Sequence, residues 1–323
     1  MICLGIESTA HTFGIGIVRD REILANVKDS FTTESGGMRP VEAMDHHVDV
    51  CDRVIKDALQ KANISIKDVD LISFSQSPGL GHCLRTGAVI ARSLSTIHNI
   101  PLIGVNHCIA HLEIGRLATK AKDPVLLYAS GANTQIIAYE GGKYRIFGET
   151  LDQGVGNLLD SFARYIGVGF PGGPKVYELS KGHKKFIEIP YCVKGMDVSF
   201  GGILTFVKQL YDKGESKEDL CFSLQETVFA MLVEVSERAM AHCDKNELVL
   251  GGGVACNKRL QEMCVNMCEA RDAKCFIPPN DVLVDNGAQI AWLGLLEYES
   301  GVRTEDTSIK PYERTDDIDV SWR

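Results

Sequence analysis

The chain has 323 residues, of which 45% are hydrophobic and 24% charged, a composition typical of a folded globular protein with about two domains. Disordered and fibrous classes are excluded, and every apolar run is broken well before the roughly 20 residues that a membrane span requires. Lys and Arg number 34 against 43 Asp and Glu, and the resulting net charge of −9 excludes nucleic-acid binding through the overall field of the chain alone.

The first residues and the cysteines indicate the cellular compartment. Residues 2–6 are apolar from the start and lack the basic segment and cleavage site of a secretory signal. The eleven cysteines include no Cys-x-x-Cys pair, and Cys264 and Cys268 have helical spacing, so reduced and mostly buried thiols are favoured. We therefore expect a cytoplasmic protein without a membrane segment.

The predicted elements repeat their order in the two halves of the chain. In the first half, two β-rich runs enclose a polar turn and a third strand follows, at residues 2–6, 13–18 and 22–27. The second half begins in the same way, with runs at residues 125–129, 135–139 and 143–147 around the turn 130–134. Both halves are thus predicted to begin with a three-stranded meander.

Each meander is followed by a predicted helix, strand and helix. In the first half, Val50, Val54 and Ala58 have helical spacing before a strand at 70–74, a new helix after Gly81, and a strand at 101–105. The second half repeats this pattern with a long helix through Val228 and Leu232, strands at 247–250 and 274–277, and between them the turn 251–253 and a helix containing Asn257.

This duplication predicts two similar α/β lobes facing each other across a cleft. We expect residues 1–122 to form the N-terminal lobe, with residues 286–323 packing back on it, and residues 123–285 to form the C-terminal lobe. The alternative is one large doubly wound sheet, because such sheets also alternate strands and helices.

Three short turns rich in glycine or hydroxyl groups occupy equivalent places in the two halves. They lie at residues 7–12, 130–134 and 251–253. Turns of this kind present backbone N–H groups to anions, although each alone is more often a simple chain reversal. Together they favour a bound nucleotide, and the absence of a Gly-x-x-x-x-Gly-Lys-Ser/Thr sequence excludes a P-loop.

A pair of histidines is the clearest candidate for a metal site. His107 and His111 follow the strand 101–105, with Asn106 as the expected N-cap, and so lie one turn apart on one helix face. Structural histidines in this spacing remain an alternative. Cys108 stands where a His-Glu-x-x-His protease carries its general base, which argues against a peptidase. Asp285, at the start of the predicted helix 288–296, is a candidate oxygen ligand, or else a helix cap.

A second candidate region surrounds the sequence FPGGP at 170–174. Its glycines allow a ligand to approach the backbone closely, although an ordinary loop is an alternative. Asp160 precedes it on the predicted helix 157–166. A carboxylate in that position is suited to binding ribose hydroxyls.

Five sequence motifs, read in order, resemble one family. They are GIESTAHT at 5–12, VNHCIAH at 105–111, YASGANTQ at 128–135, FPGGP at 170–174 and GGGVACN at 251–257. The family is that of the tRNA threonylcarbamoyladenosine synthases, in the archaeal and eukaryotic branch that provides the catalytic subunit of the KEOPS complex and was once labelled an endopeptidase. The resemblance extends from Ile2 to about Arg314, and the order of the motifs is more specific than any one of them.

This resemblance implies a fold and a reaction. The fold is the duplicated actin-like ATPase fold shared by sugar kinases, heat-shock proteins and actin. The reaction transfers a threonylcarbamoyl group from threonylcarbamoyl-adenylate to N6 of adenosine 37, in tRNAs that read codons beginning with A, and releases AMP. The attacking amine is a poor nucleophile because its lone pair is delocalised into the purine, so the electrophile has to be activated and positioned.

The resemblance also implies site residues. The ligands of a single metal ion, iron in preference to zinc, would be His107, His111, Tyr128 and Asp285. The contacts to an adenine nucleotide would be Tyr128, Ala129, Ser130, Gly131, Ala132, Asp160, Gly173 and Asn257. The chain departs from its relatives at two positions: Ala132 is often Gly, and Tyr177, which precedes Glu178, is often Glu.

Two further expectations concern the general base and the partners. Glu7 and His11 are the candidates for the base, with stabilisation of the turn as their alternative role. Because the chain is acidic, the resemblance implies that tRNA is held mainly by other KEOPS subunits. These include a small kinase-like ATPase, which some archaeal relatives carry on the same chain, and a small dimerising subunit.

Two rival functions remain open at this point. The first is an ATP-binding phosphotransferase or ATPase of the same superfamily, which would use magnesium and would not need the histidine pair. The second is a nucleotide-binding scaffold without catalysis.

Overall fold

The computed structural model describes residues 1–34 and 38–323. Its first half contains three antiparallel strands followed by alternating helices and strands: β1 (Ile2–Glu7), β2 (Thr12–Arg19), β3 (Glu22–Ser30), α1 (Pro40–Ala62), β4 (Leu71–Ser77), α2 (Gly81–His98), β5 (Leu102–Asn106) and α3 (His107–Thr119). These bounds agree closely with the predicted elements.

The second half repeats this order with an insertion before its long helix. The elements are β6 (Val125–Ala129), β7 (Thr134–Glu140), β8 (Lys143–Glu149), α4 (Val155–Tyr165), α5 (Gly172–Ser180), β9 (Val193–Lys194), β10 (Asp197–Val198), α6 (Gly201–Asp212), α7 (Lys217–His242), β11 (Glu247–Gly251), α8 (Lys258–Ala270), β12 (Lys274–Phe276), α9 (Asn280–Leu283) and α10 (Gly287–Glu299).

Two five-stranded sheets have the same strand order, which confirms the predicted duplication. The order is β3-β2-β1-β4-β5 in the first sheet and β8-β7-β6-β11-β12 in the second. In each, the meander strands pair antiparallel and the last three strands pair parallel. The alternative of one doubly wound sheet is therefore wrong.

Two local predictions differ from the structure at helix starts. Gly172 and Gly173 begin α5 instead of lying in a turn or loop, because Pro171 occupies the extended position that precedes the first helical turn. The Phe170–Pro171 peptide is cis. Asn257 lies outside α8 as its N-cap, where its carboxamide oxygen accepts from the backbone N–H of Arg259.

Helix α10 packs against the first sheet at unusually short range because glycines face each other. A Cβ atom at Gly16 would lie 2.0 Å from the backbone nitrogen of Ala288, and one at Gly287 would lie 2.0 Å from that of Gly16. Any side chain at either position would push the helix outward. This contact holds the start of α10, and with it Asp285, against the first half of the chain.

The residues after α10 contact both sheets in turn. The side-chain amide of Gln76 on β4 donates to the carbonyls of Asp306 and Ser308, both at 2.7 Å. Arg314 then pairs with Glu149 on β8 at 3.1 Å. The division of the chain at residues 122 and 285 stays a prediction.

Within residues 1–34 and 38–323, no helix combines the length and the apolar character needed to cross a membrane.

Candidate metal and nucleotide site

Four side chains from different elements converge where the strands of both sheets end. His107 and His111 lie on the first turns of α3, which is capped as predicted: the carboxamide oxygen of Asn106 accepts from the backbone N–H groups of Cys108 and Ile109 at 3.0 and 3.2 Å. Tyr128 is the penultimate residue of β6, and Asp285 directly precedes Asn286, the N-cap of α10.

The distances within this group are those of a ligand cluster. One carboxylate oxygen of Asp285 lies 3.2 Å from Nε2 of His111 and 3.4 Å from Nε2 of His107. The phenol oxygen of Tyr128 lies 3.0 Å from the same His107 nitrogen. The structure thus brings all four predicted metal ligands together.

Burial and charge set the ionisation of these groups in the absence of a cation. Burial disfavours a charge on His107, but the carboxylates of Glu7 and Asp285 outweigh it and raise the pKa of His107 well above its usual value. Burial also disfavours ionised Asp285, yet the two imidazoles hold its pKa well below normal. Burial lowers the pKa of His111 and raises that of the Tyr128 phenol well above its usual value.

The donor set fits a metal ion. Ligand atoms about 2.0 to 2.2 Å from a shared ion lie roughly 3.0 to 3.5 Å from one another, which matches the separations above. His107, His111 and Asp285 also have ligand atoms that all lie within 4.8 Å of one another. Because the set combines imidazole nitrogens with oxygen donors and has no thiolate, it suits a first-row transition metal.

A buried carboxylate lies directly behind the first histidine. Glu7, the last residue of β1, is 0% exposed, and its Oε2 atom lies 2.7 Å from Nδ1 of His107. The other oxygen, Oε1, accepts from the backbone N–H and the hydroxyl of Thr9 at 2.6 and 2.5 Å. Neither oxygen of this candidate base is free to meet a substrate.

The turn at residues 130–132, which the resemblance places against the nucleotide, is supported from behind by a helix. The backbone N–H groups of Gly156 and Asn157, on the first turn of α4, donate to the carbonyls of Ser130 and Gly131 at 3.0 and 2.9 Å. In a trans peptide the next N–H points opposite to the carbonyl, so the N–H groups of Gly131 and Ala132 point away from α4. Both residues are exposed, and this turn is therefore suited to binding an anion.

Asp160 and Gly173 meet at the contact between α4 and α5. The Asp160 carboxylate accepts from the backbone N–H of Gly172 at 2.6 Å, and burial raises its pKa. His11 lies near these residues, with its ring centroid 5.5 Å from that of Phe170 in an edge-on contact. The second candidate base thus lies against the FPGGP segment.

The side chain of Asn257 forms its hydrogen bonds within the protein and lies beside a cavity. Its amide group donates to the side chain of Gln225 at 2.9 Å. A cavity of about 270 Å³ adjoins this pair and is lined by residues of α5, α7 and α8, including Tyr177. Glu178 faces solvent and pairs with Lys181 at 2.7 Å. The nucleotide roles of Asp160, Gly173 and Asn257 stay predictions.

Sequence reasoning missed two residues beside the metal ligands. Thr9 holds the carboxylate of Glu7, and the side-chain amide of Gln289 lies 3.2 Å from Nδ1 of His107. Gln289 could have been found, because it is the only polar residue in the first ten residues of α10, Gly287 to Leu296. Thr9 carries no such signal, since hydroxyl residues are common in turns.

Solved structures identify the class of protein that this fold defines. The crystal structure of HypF from T. kodakarensis superposes with a TM-score of 0.66 at 13% identity, over 96% of this chain and 49% of that one. Two α/β units of one topology, joined at a shared site, make this protein a member of the duplicated actin-like ATPase fold class.

Sequence comparison then identifies the family. The family described as tRNA N6-adenosine threonylcarbamoyltransferase matches residues 22–292. A protein of that name from Thermococcus sibiricus is 55% identical over the full length of both chains. A relative from Methanocaldococcus jannaschii, named a probable bifunctional tRNA threonylcarbamoyladenosine biosynthesis protein, is 51% identical over all of this chain and 60% of its own length. The chain belongs to the tRNA N6-adenosine threonylcarbamoyltransferase family of enzymes.

Proposed function

We propose that this protein transfers the threonylcarbamoyl group of threonylcarbamoyl-adenylate to N6 of adenosine 37 in tRNAs that read codons beginning with A. The observation that carries the proposal is the buried ligand set of His107, His111, Tyr128 and Asp285. Its member Tyr128 lies two residues before Ser130, where the turn with outward amides begins. Family membership supports the same reaction.

In this proposal the ligand set holds one metal ion, and iron fits it better than zinc. The four donors are two imidazoles, a phenol and a carboxylate, and phenolate oxygen is a ligand that proteins use for iron. A bound ion supplies a Lewis acid that polarises the carbonyl of the threonylcarbamoyl group.

The remaining residues bind and orient the adenylate. The amides of Gly131 and Ala132 hold the phosphate, and Asp160 with Gly173 contacts the ribose or purine. The cavity beside Asn257 and Tyr177 receives the adenine ring of the adenylate. Fixing both ends of the mixed anhydride holds its carbonyl where the adenosine amine can attack it, which supplies effective concentration for a weak nucleophile.

We further propose that the reaction takes place within a cytoplasmic KEOPS complex whose other subunits hold the tRNA. The net charge of −9 disfavours the binding of a polyanion such as tRNA by this chain alone. Some relatives are longer than this chain and are named as bifunctional proteins of threonylcarbamoyladenosine biosynthesis. Their names support the presence of a second protein of the same pathway beside this chain, here a small kinase-like ATPase. A small dimerising subunit completes the assembly.

The test is nucleoside mass spectrometry of unmodified tRNA after incubation with threonylcarbamoyl-adenylate, the partner subunits and either the native protein or its His107→Ala variant. We expect threonylcarbamoyladenosine with the native protein and at least about 100-fold less with the variant, since changes behind a ligand already cost about 10- to 100-fold. His98→Ala, at an exposed histidine that ends α2, is the matched control. No product from the native protein, with partners that are active beside another catalytic subunit, would refute the transferase.

A further inference from the structure

The contacts of His107 determine which of its two ring nitrogens can face a metal ion. Nδ1 lies 2.7 Å from a carboxylate oxygen of Glu7, and Nε2 lies 3.0 Å from the Tyr128 phenol and 3.4 Å from Asp285. A metal binds a ring nitrogen through its lone pair, so Nε2 has to be free of a proton and Nδ1 has to carry it.

Of the three polar groups near Nδ1, the Thr9 hydroxyl is the most distant at 3.5 Å, and the other two make opposite demands on it. The carboxylate of Glu7 only accepts hydrogen bonds and so requires a proton on Nδ1, whereas the Gln289 amide nitrogen, 3.2 Å away, only donates. Turned around, the Gln289 amide would place its nitrogen 3.0 Å from the Asn286 amide nitrogen, which can only donate, so this orientation is excluded. That Asn286 amide is itself fixed by the carbonyls of Val282 and Val284.

The carboxylate prevails in this competition. Its contact is 0.5 Å shorter than the amide contact, and a hydrogen bond to an ionised acceptor is roughly twice as strong as one between neutral groups. Thr9 fixes the orientation of the carboxylate, because both of its donors meet Oε1 and leave Oε2 for the histidine.

We propose that Glu7 is a positioning residue, which keeps the proton of His107 on Nδ1 and thereby presents the Nε2 lone pair to the metal. Glu7 is 0% exposed and both of its oxygens are occupied, so it acts through His107 and does not accept a proton from the substrate. Carboxylates behind a metal-bound histidine orient the ring and increase its basicity. The inference rests on the metal site proposed above.

Replacement of Glu7 by glutamine tests this role because the change reverses the demand on Nδ1. The amide oxygen of the variant is needed by the backbone N–H of Thr9, which can only donate, so the amide NH2 faces His107. Nδ1 then becomes an acceptor and the proton moves to Nε2. We expect affinity for Zn²⁺, measured by competition with a chromophoric chelator, to fall about 10- to 100-fold.

A second measurement reports the protonation of His107 directly. Long-range proton–nitrogen NMR spectra of protein with labelled histidine show which ring nitrogens carry a proton, and the signals of His107 are those lost in His107→Ala. With Zn²⁺ bound, we expect a proton on Nδ1 of native His107 and none on Nε2. In the metal-free proteins, we expect Nδ1 to be protonated in the native form and unprotonated in Glu7→Gln.

The matched control is Glu113→Gln, the same change at a buried carboxylate on α3. Glu113 accepts from Trp322 and pairs with Arg116, and it does not contact the metal ligands. We expect its zinc affinity to stay within about twofold of the native value, because α3 keeps both histidines. An equal loss in both variants, or unchanged zinc affinity in Glu7→Gln, would overturn the proposal.

The experiment separates this proposal from the proposed function. Native protein that binds no Zn²⁺ would refute the metal site, whereas an Nδ1 without a proton would contradict the role of Glu7 with or without metal. If Glu7→Gln does not fold, the native spectrum alone decides, since an unprotonated Nδ1 in native His107 contradicts the role of Glu7.

Discussion

A buried carboxylate at the end of α10 should make the protein less stable as pH rises. Glu297 is 5% exposed, and burial, with a smaller contribution from Glu313, raises its pKa from 4.5 to about 8. Between these two values the unfolded chain ionises Glu297 while the folded protein keeps it protonated. The folded state then binds more protons, so the free energy of unfolding decreases with increasing pH.

The size of this effect follows from the pKa shift. At pH 7 the solution is about 2.5 pH units above 4.5, the ordinary pKa of this carboxyl, which the unfolded chain retains. Each unit corresponds to about 1.4 kcal/mol, so the free energy of unfolding at pH 7 should be about 3 kcal/mol lower than at pH 4.5. Glutamine has the shape of the protonated carboxyl and cannot ionise. Glu297→Gln should therefore stabilise the protein by about 3 kcal/mol at pH 7 and have little effect near pH 4.5.

Urea unfolding at several pH values between 4.5 and 8 measures this difference. The matched control is Glu299→Gln, two residues further along the same helix at an exposed position, which should leave the pH dependence unchanged. Parallel stability curves for Glu297→Gln and the native protein across this range would show that Glu297 ionises normally in the folded state and would refute the reasoning.

Two further substitutions test how the metal ligands are positioned. Asn106→Ala removes the acceptor for two N–H groups of α3 and should cost about 1 to 2 kcal/mol in urea unfolding, while Asn106→Ser, which keeps an uncharged acceptor oxygen at the N-cap, should recover part of it. Gly287→Ala places a Cβ atom 2.0 Å from the backbone of Gly16 and should cost about 3 kcal/mol or prevent folding, as judged by thermal unfolding and soluble yield. Gly202→Ala, where a Cβ atom meets open space, should be neutral or stabilising, and an equal loss there would contradict the packing argument.

The order of elements could be predicted from the sequence because local patterns encode it. Alternation of apolar residues with polar turns marked the strands of both meanders, and helical spacing marked the long helices. The spacing of His107 and His111 placed both imidazoles on one face of α3, since residues four apart meet on a helix. Duplication followed from the repeated order and is confirmed by the two sheets of equal topology.

Only the tertiary structure decided which distant residues complete the site. Asp285 meets His111 across 174 positions of sequence because glycines let α10 approach the first sheet, and close packing of two backbones leaves no periodic signal in either segment. Glu7 likewise looked like a turn residue or a base, until folding placed its carboxylate behind His107. Local sequence determined which chemical groups are available, and packing determined which of them meet, such as the Glu7 carboxylate and Nδ1 of His107.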